Sequence, residues 1–208
     1  MDGWHEVVLA HELLHTFYTY YPDEFNSALL GRVSEKNGVE EYWARAKVDE
    51  DPRFVRHPMK SLPNYQSRAI PVQLHGDGVP FKKTGIGSSL NCTLWKSIVG
   101  FGLSTWDHHY LWDCYVAGIE TDMFTARRWR ILKWDWWCAL HGFFPYTYDD
   151  GSEIGPEDEV RYARRGEAIA GGYALAISGW LNDVKYQVED PHWVNSFTPF
   201  LPGFNFIF

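Results

Sequence analysis

Cysteine is scarce in this chain. Only Cys92, Cys114 and Cys138 are present. The count is odd and no pair has Cys-x-x-Cys spacing, which argues against a disulfide framework and against a cysteine-rich zinc site. Reduced thiols in an intracellular compartment are the expectation. Long apolar runs are also missing: no uninterrupted stretch is long enough to span a bilayer, so no membrane partner is expected. Residues 1–10, MDGWHEVVLA, lack a basic start, so no signal peptide is read there. Positive charge is in deficit, with 19 Lys and Arg against 27 Asp and Glu and a net charge of −8. Such a chain has no overall attraction to nucleic acid, and any contact with it must be local. The Gly/Ser loop holding GIGSS (85–89) is no phosphate-binding P-loop, because the Lys-Ser/Thr pair is absent. No Ser or Cys sits in a recognisable nucleophile motif, and no internal repeat is found.

What is present is apolar and aromatic. Hydrophobic residues make up 45% of the 208 positions and aromatics 17%, with 11 Trp, so a packed core is expected rather than disorder. Val7, Ala10, Leu14, Phe17, Tyr18 and Tyr21 recur at helical spacing and predict a helix over 5–21, ended by Pro22. Further helices are expected at 23–31, 39–47, 122–141 and 160–170, and the start of another at 181–187. The segment 49–66 carries three prolines and reads as an irregular connector. AIPVQL (69–74) running into HGDG reads as a strand followed by a tight turn. LNCTLWKSIVGF (90–101) suits one or two strands, and YALAIS (173–178) is a second candidate buried strand. The acidic run 149–159 is a solvated loop, and an aromatic tail follows Pro191. The expected organisation is a helical extension with a connector over 1–66, an α/β domain over 67–190, and a tail over 191–208.

HELLH (11–15) matches H-E-x-x-H, in which two imidazoles on one helix face bind Zn²⁺ and the Glu acts as general base. The zinc metallopeptidase reading uses His11 and His15 as ligands, Glu12 as base and Glu35 as a third ligand, with 19 residues between it and His15. Three observations weigh against it. Ten residues ahead of His11 cannot build the sheet that zinc proteases of this type place there. Glu35 sits in SEKNG, a turn sequence. His11 falls at the border of the apolar stripe and His15 further out, the usual place for polar residues of a surface helix.

LHGDGVP (74–80) offers a different chemistry. A carboxylate fixed at the end of a buried strand, with glycines beside it, lets a metal or phosphate approach the backbone closely. Asp77 is that carboxylate. Asp183, just past the second buried strand, is its candidate partner. Two carboxylates on neighbouring strands could hold Mg²⁺ for phosphoryl transfer. A lone Asp at a strand-to-turn corner is more often a turn or cap residue.

Four blocks in order, AHELLHTFYTYYPDEF (10–25), EYWARAKVDEDPRFVRHP (41–58), AIPVQLHGDGVP (69–80) and LAISGWLNDVKYQ (175–187), resemble transposase-like proteins of mobile elements related to the plant CACTA (En/Spm-type) group. The resemblance covers most of residues 9–190. It implies an RNase H-like mixed sheet flanked by helices, a DDE/DDD-type site loaded with Mg²⁺ or Mn²⁺, DNA as partner and a nuclear location. It matches Asp77 to the acid on the first strand and Asp183 to the acid after the fourth. It also places HELLH in a helix ahead of the catalytic sheet, which accounts for the motif without zinc. The chain departs from the family in two respects. No cysteine follows Asp183 to make a zinc knuckle, and the chain ends 25 residues beyond it, before a third acid on a later helix. The expectation is a truncated or degenerate copy, inactive as a nuclease. A decayed or domesticated interaction domain is the non-enzymatic alternative.

Other groupings are read against plainer explanations. WDHHYLWD (106–113) gathers Asp107, His108, His109 and Asp113, a transition-metal set only if a loop lets all four reach one ion. Arg127, Arg128, Arg130 and Lys133, and separately Arg161, Arg164 and Arg165, could meet phosphates, with Trp129 or Trp134 stacking on bases. The alternative is a solvated helix face whose tryptophans point into the core.

Overall fold

A computed structural model describes residues 6–32, 37–80, 89–101, 109–116, 118 and 121–182. Helix α1 spans Ala10–Tyr20. It is followed by a short helix α2, Pro22–Glu24, which runs into a π-helical turn, Phe25–Leu29. Helix α3 is Gly38–Arg45, capped by the Asn37 side chain on the Val39 amide. The stretch expected to be an irregular connector contains a 3₁₀ turn at Pro58–Ser61 and ends in a one-turn helix α4, Tyr65–Arg68. Strands β1 (Ala69–Pro80), β2 (Ser89–Ser97) and β3 (Tyr110–Val116) come next. Helix α5 (Asp122–His141) and helix α6 (Glu159–Arg164) lead to β4 (Ala174–Asn182).

The strands form one mixed sheet in the order β3-β2-β1-β4. β1 pairs antiparallel with β2, β2 antiparallel with β3, and β1 parallel with β4. A parallel return needs a long crossover, and α5 with the segment after it supplies one. The chain is thus an α/β fold with a four-stranded mixed sheet flanked by helices.

Two expectations about strand ends are corrected. HGDG is not a tight turn. β1 runs through it, because His75 and Gly76 pair on both sides, with Leu94 and Thr93 of β2 and with Leu181 and Asn182 of β4. β4 likewise extends to Asn182, so Leu181 and Asn182 are strand rather than the start of a helix. Pro71 sits inside the central strand without cost to the ladder. Its carbonyl accepts from the Ile98 amide, so its missing N–H faces the β2 side, one residue beyond the last β1–β2 pair, Val72 with Ser97.

α5 was expected at the bounds it takes, though its cap is Thr121, whose side chain accepts from the Phe124 amide. Gly142 ends it in the left-handed region, φ +72°, donating its amide to the Cys138 carbonyl. Gly100 is required for another reason: a Cβ there would lie 1.9 Å from the Ala28 carbonyl oxygen, where the turn after β2 meets the π-turn.

One core joins these elements. Ala10 and Leu14 of α1, Val39 and Trp43 of α3, Ile70, Val72 and Leu74 of β1, Trp95 of β2, and Leu132 and Trp136 of α5 are buried in a single cluster. The N-terminal helices therefore share the core of the sheet. The Trp43 indole donates to the Ala69 carbonyl at 2.6 Å, fixing α3 at the start of β1. His57 bridges to β4: its Nδ1 accepts from the Met59 amide and its Nε2 donates to the Ile177 carbonyl. Burial pushes the His57 pKa down to about 4. Just ahead of α1, the Val8 amide donates to the Trp112 carbonyl and Val7 bridges to Asp113, covering part of the β3 edge.

Candidate functional site

The face of the sheet turned toward α5 is closed. Thr93 and Trp95 of β2 and Asp113 and Tyr115 of β3 are buried there, alongside Val72 and Leu74 of β1. Arg128 of α5 reaches down to this face. It donates to Asp113 through Nε at 2.5 Å and through a second guanidinium nitrogen at 3.2 Å, and also to the Thr93 hydroxyl. The rings of Trp112, Tyr115 and Trp129 surround the guanidinium at 5.1–5.6 Å. Asp113 is thus the counter-ion of a buried arginine, and it is withdrawn from the metal grouping read in WDHHYLWD. Arg128 is correspondingly withdrawn from the group of phosphate-binding cations.

Beside it lies a second buried carboxylate, Asp135 of α5, with 0% exposure. Its Oδ2 accepts from the Ala10 amide at 2.8 Å and from the Trp112 indole at 2.7 Å. Its Oδ1 accepts from the His11 amide at 3.1 Å and from His11 Nδ1 at 2.5 Å. Four donors fill the lone pairs of one carboxylate. Two of them are the first amides of α1, whose preceding residue, Leu9, offers no side-chain cap. Asp135 is therefore the N-cap of α1, delivered from another helix, and its charge sits at the positive end of the helix dipole.

The same contacts engage the residues of HELLH. His11 is 1% exposed, which corrects the expectation that it lies at the border of the apolar stripe, among the polar residues of a surface helix. Its Nδ1 is committed to Asp135, and Trp134 packs edge-on at 5.2 Å between ring centroids. Glu12 forms an ion pair with Arg161 at 2.9 Å. His15 accepts from the Ala170 amide through Nδ1 at 3.3 Å. Its pKa is lowered by burial and then by the charge of Arg164. Glu35 lies outside the described residues. Among the described residues, no group of three or more His, Cys, Asp or Glu is arranged to hold a metal ion.

The opposite face of the sheet is less covered toward the end of β1. Gln73 and His75 of β1 alternate with the buried Val72 and Leu74, and both are half-buried. They pair with Lys96 and Leu94 of β2. Two residues on along β1, Asp77 has Cys92 as its register partner, and Cys92 in turn pairs with Cys114 of β3. His109 approaches His75 with 6.5 Å between ring centroids. The β4 neighbour of Gly76 is Asn182, the residue before Asp183. Asp183 itself lies outside the described residues, as do Asp107 and His108. Sequence reasoning singled out Asp77 and did not weigh His75 or the two cysteines beside it. The alternation Gln73, His75, Asp77 was legible once HGDG is read as strand.

The other cations are mostly engaged. Arg130 pairs with Asp149 at 2.8 Å, and Arg161 with Asp158 as well as Glu12. Arg164 and Arg165 lie over the rings of Phe144 and Tyr162. Trp129 is buried and Trp134 donates to the Thr147 carbonyl, so neither is an open platform for bases. Trp137 is the exposed tryptophan of α5, and it lies against His141. A groove of about 870 Å³ runs along this helix between Trp134, Trp137, Lys133 and Tyr148.

No family model, no curated protein and no solved structure matches this chain. Among the described residues, no helix is long and apolar enough to cross a membrane.

Proposed function

We propose that this chain is an RNase H-like, transposase-like domain derived from a mobile element. Its ancestral chemistry on this reading is divalent-metal-dependent cleavage and strand transfer of DNA. The observation that carries the reading is the parallel register of β1 and β4. The sequence resemblance calls for one acid on the first strand and another after the fourth. Asp77 is on β1, two residues beyond His75, and the β4 residue paired with Gly76 is Asn182, immediately before Asp183. Open α/β sheets place ligands at the carboxyl ends of adjacent parallel strands, and β1 and β4 share such an end.

Two carboxylates are hard oxygen donors suited to Mg²⁺ or Mn²⁺, and they leave most of the coordination sphere to water. Such ions, when bound, activate an attacking water or 3′-hydroxyl and stabilise the leaving oxygen. With no third acid assigned, Asp77 and Asp183 are expected to bind metal weakly, and the chain is expected not to cut DNA. DNA as partner and a nuclear location belong to the same reading.

The test is Mn²⁺ titration, followed by water-proton relaxation, of the wild type, Asp77→Asn and Asp183→Asn. Weak saturable binding lost in both variants is the expected result. Binding that survives both substitutions overturns the site. Mn²⁺-dependent DNA cleavage by the wild type, lost in Asp77→Ala, would keep the site and overturn the expected inactivity.

A further inference from the structure

We propose that Cys92 and Cys114 are a dithiol site that closes reversibly to a disulfide across β2 and β3. The proposal is independent of any metal at Asp77. Cys92 and Cys114 are direct cross-strand partners in the antiparallel β2–β3 ladder. Opposed residues of such a ladder have Cα atoms about 4.5 or 5.5 Å apart and side chains on the same face. Both spacings fall within the range that a disulfide spans without backbone movement. The side chains already meet, with the two sulfurs 2.7 Å apart. Both residues are thiols and both are half-buried, so an oxidant has a path to them.

The third cysteine is built differently. Cys138 is 3% exposed on the core side of α5. Burial, followed by the charge of Asp135, pushes its thiol up to about 12. A thiol held neutral and enclosed does not compete in exchange, since the thiolate is the nucleophile. The chain therefore separates one inert thiol from one juxtaposed pair. The odd cysteine count, which argued against disulfides from sequence, resolves into two plus one.

The oxidant is a small disulfide of the glutathione class. One protein thiolate attacks it, forming a mixed disulfide and releasing one glutathione thiol. The second protein thiolate displaces the other glutathione, and the Cys92–Cys114 bond closes. Two protein thiols give up two protons and two electrons, and the cleaved oxidant bond becomes two thiols. Closure ties β2 to β3 beside the register shift between Thr93 and Leu94, and a bond closing a loop of this length raises the melting temperature.

The experiment equilibrates the full chain in a series of reduced-to-oxidised glutathione buffers, quenches with acid, alkylates, and maps peptides without reduction. The expected product is a peptide pair linked through Cys92 and Cys114, lighter by two hydrogens, that disappears on adding dithiothreitol. Cys138→Ala should leave this transition unmoved. Cys114→Ser should instead trap glutathione on Cys92. Three fully alkylated cysteines in wild type across the whole series overturn the proposal, as does stable glutathionylation of Cys92 in wild type without closure. Linkage only between separate chains, seen as dimer on a non-reducing gel, also overturns it.

Discussion

Replacing Asp135 with alanine tests the central claim about α1. The substitution removes the acceptor shared by four donors: the Ala10 and His11 amides, His11 Nδ1 and the Trp112 indole. His11 and Trp112 are 1% and 0% exposed, so water does not readily replace the carboxylate. Hydrogen bonds to a charged group contribute about 1.5–3 kcal/mol each, but bonds sharing one acceptor do not add. Removing one partner from a buried ionic cluster costs about 3–5 kcal/mol, which is the figure to expect. In a domain of this size that corresponds to a melting temperature lower by roughly 6–20 °C. Each oxygen of Asp135 serves two donors, so Asp135→Asn keeps one accepting oxygen and turns an NH₂ group toward the other two donors. It should recover at most half of the loss. Urea unfolding measures the cost. Hydrogen exchange of the Ala10 and His11 amides shows whether the damage is where the cap is. A change below about 1 kcal/mol in Asp135→Ala, with exchange of those amides unaltered, would refute the interhelical cap.

Arg128→Met leaves Asp113 buried without its counter-ion and should cost about 3–5 kcal/mol in urea unfolding, most of it recovered by adding Asp113→Leu. His57 gives a pH dependence of defined sign. Its folded pKa of about 4 lies below the ordinary value of 6.5, so its contribution is complete above pH 6.5 and is lost as pH falls toward 4. The window of about 2.5 units corresponds to about 3 kcal/mol, and stability measured from pH 7 to 4 should fall less steeply in His57→Asn. If the two slopes match, His57 is not buried neutral. Elemental mass spectrometry of the purified wild type and His11→Ala should find no stoichiometric zinc in either; one zinc per chain, lost in the variant, would restore HELLH as a metal site.

The longest helix was legible because its signals are local. The span Asp122–His141 of α5 follows from a run of helix formers ended by a glycine that takes a left-handed cap. The strand ends were not, because they depend on partners far away in sequence. Glycines in HGDG read as a turn in isolation, and they are held extended only because β2 and β4 pair with His75 and Gly76 from both sides. The same applies to Cys92 and Cys114. Their separation in sequence shows no familiar spacing, and only the antiparallel register of β2 and β3 brings them together.

HELLH shows where reading a motif by spacing stops. The i, i+4 interval puts His11 and His15 on one side of a helix, and that much is a property of helical geometry. Whether that side meets a metal depends on what faces it, and this is decided by residues more than a hundred positions away. Asp135 takes His11, and the amide of Ala170 takes His15. Glu12, the residue a peptidase would need as base, turns to Arg161. The same Asp135 that satisfies His11 also caps the helix carrying it, so the histidine and the helix start are fixed by one carboxylate. A histidine at this position in α1 therefore has a structural use as the third of four donors around Asp135.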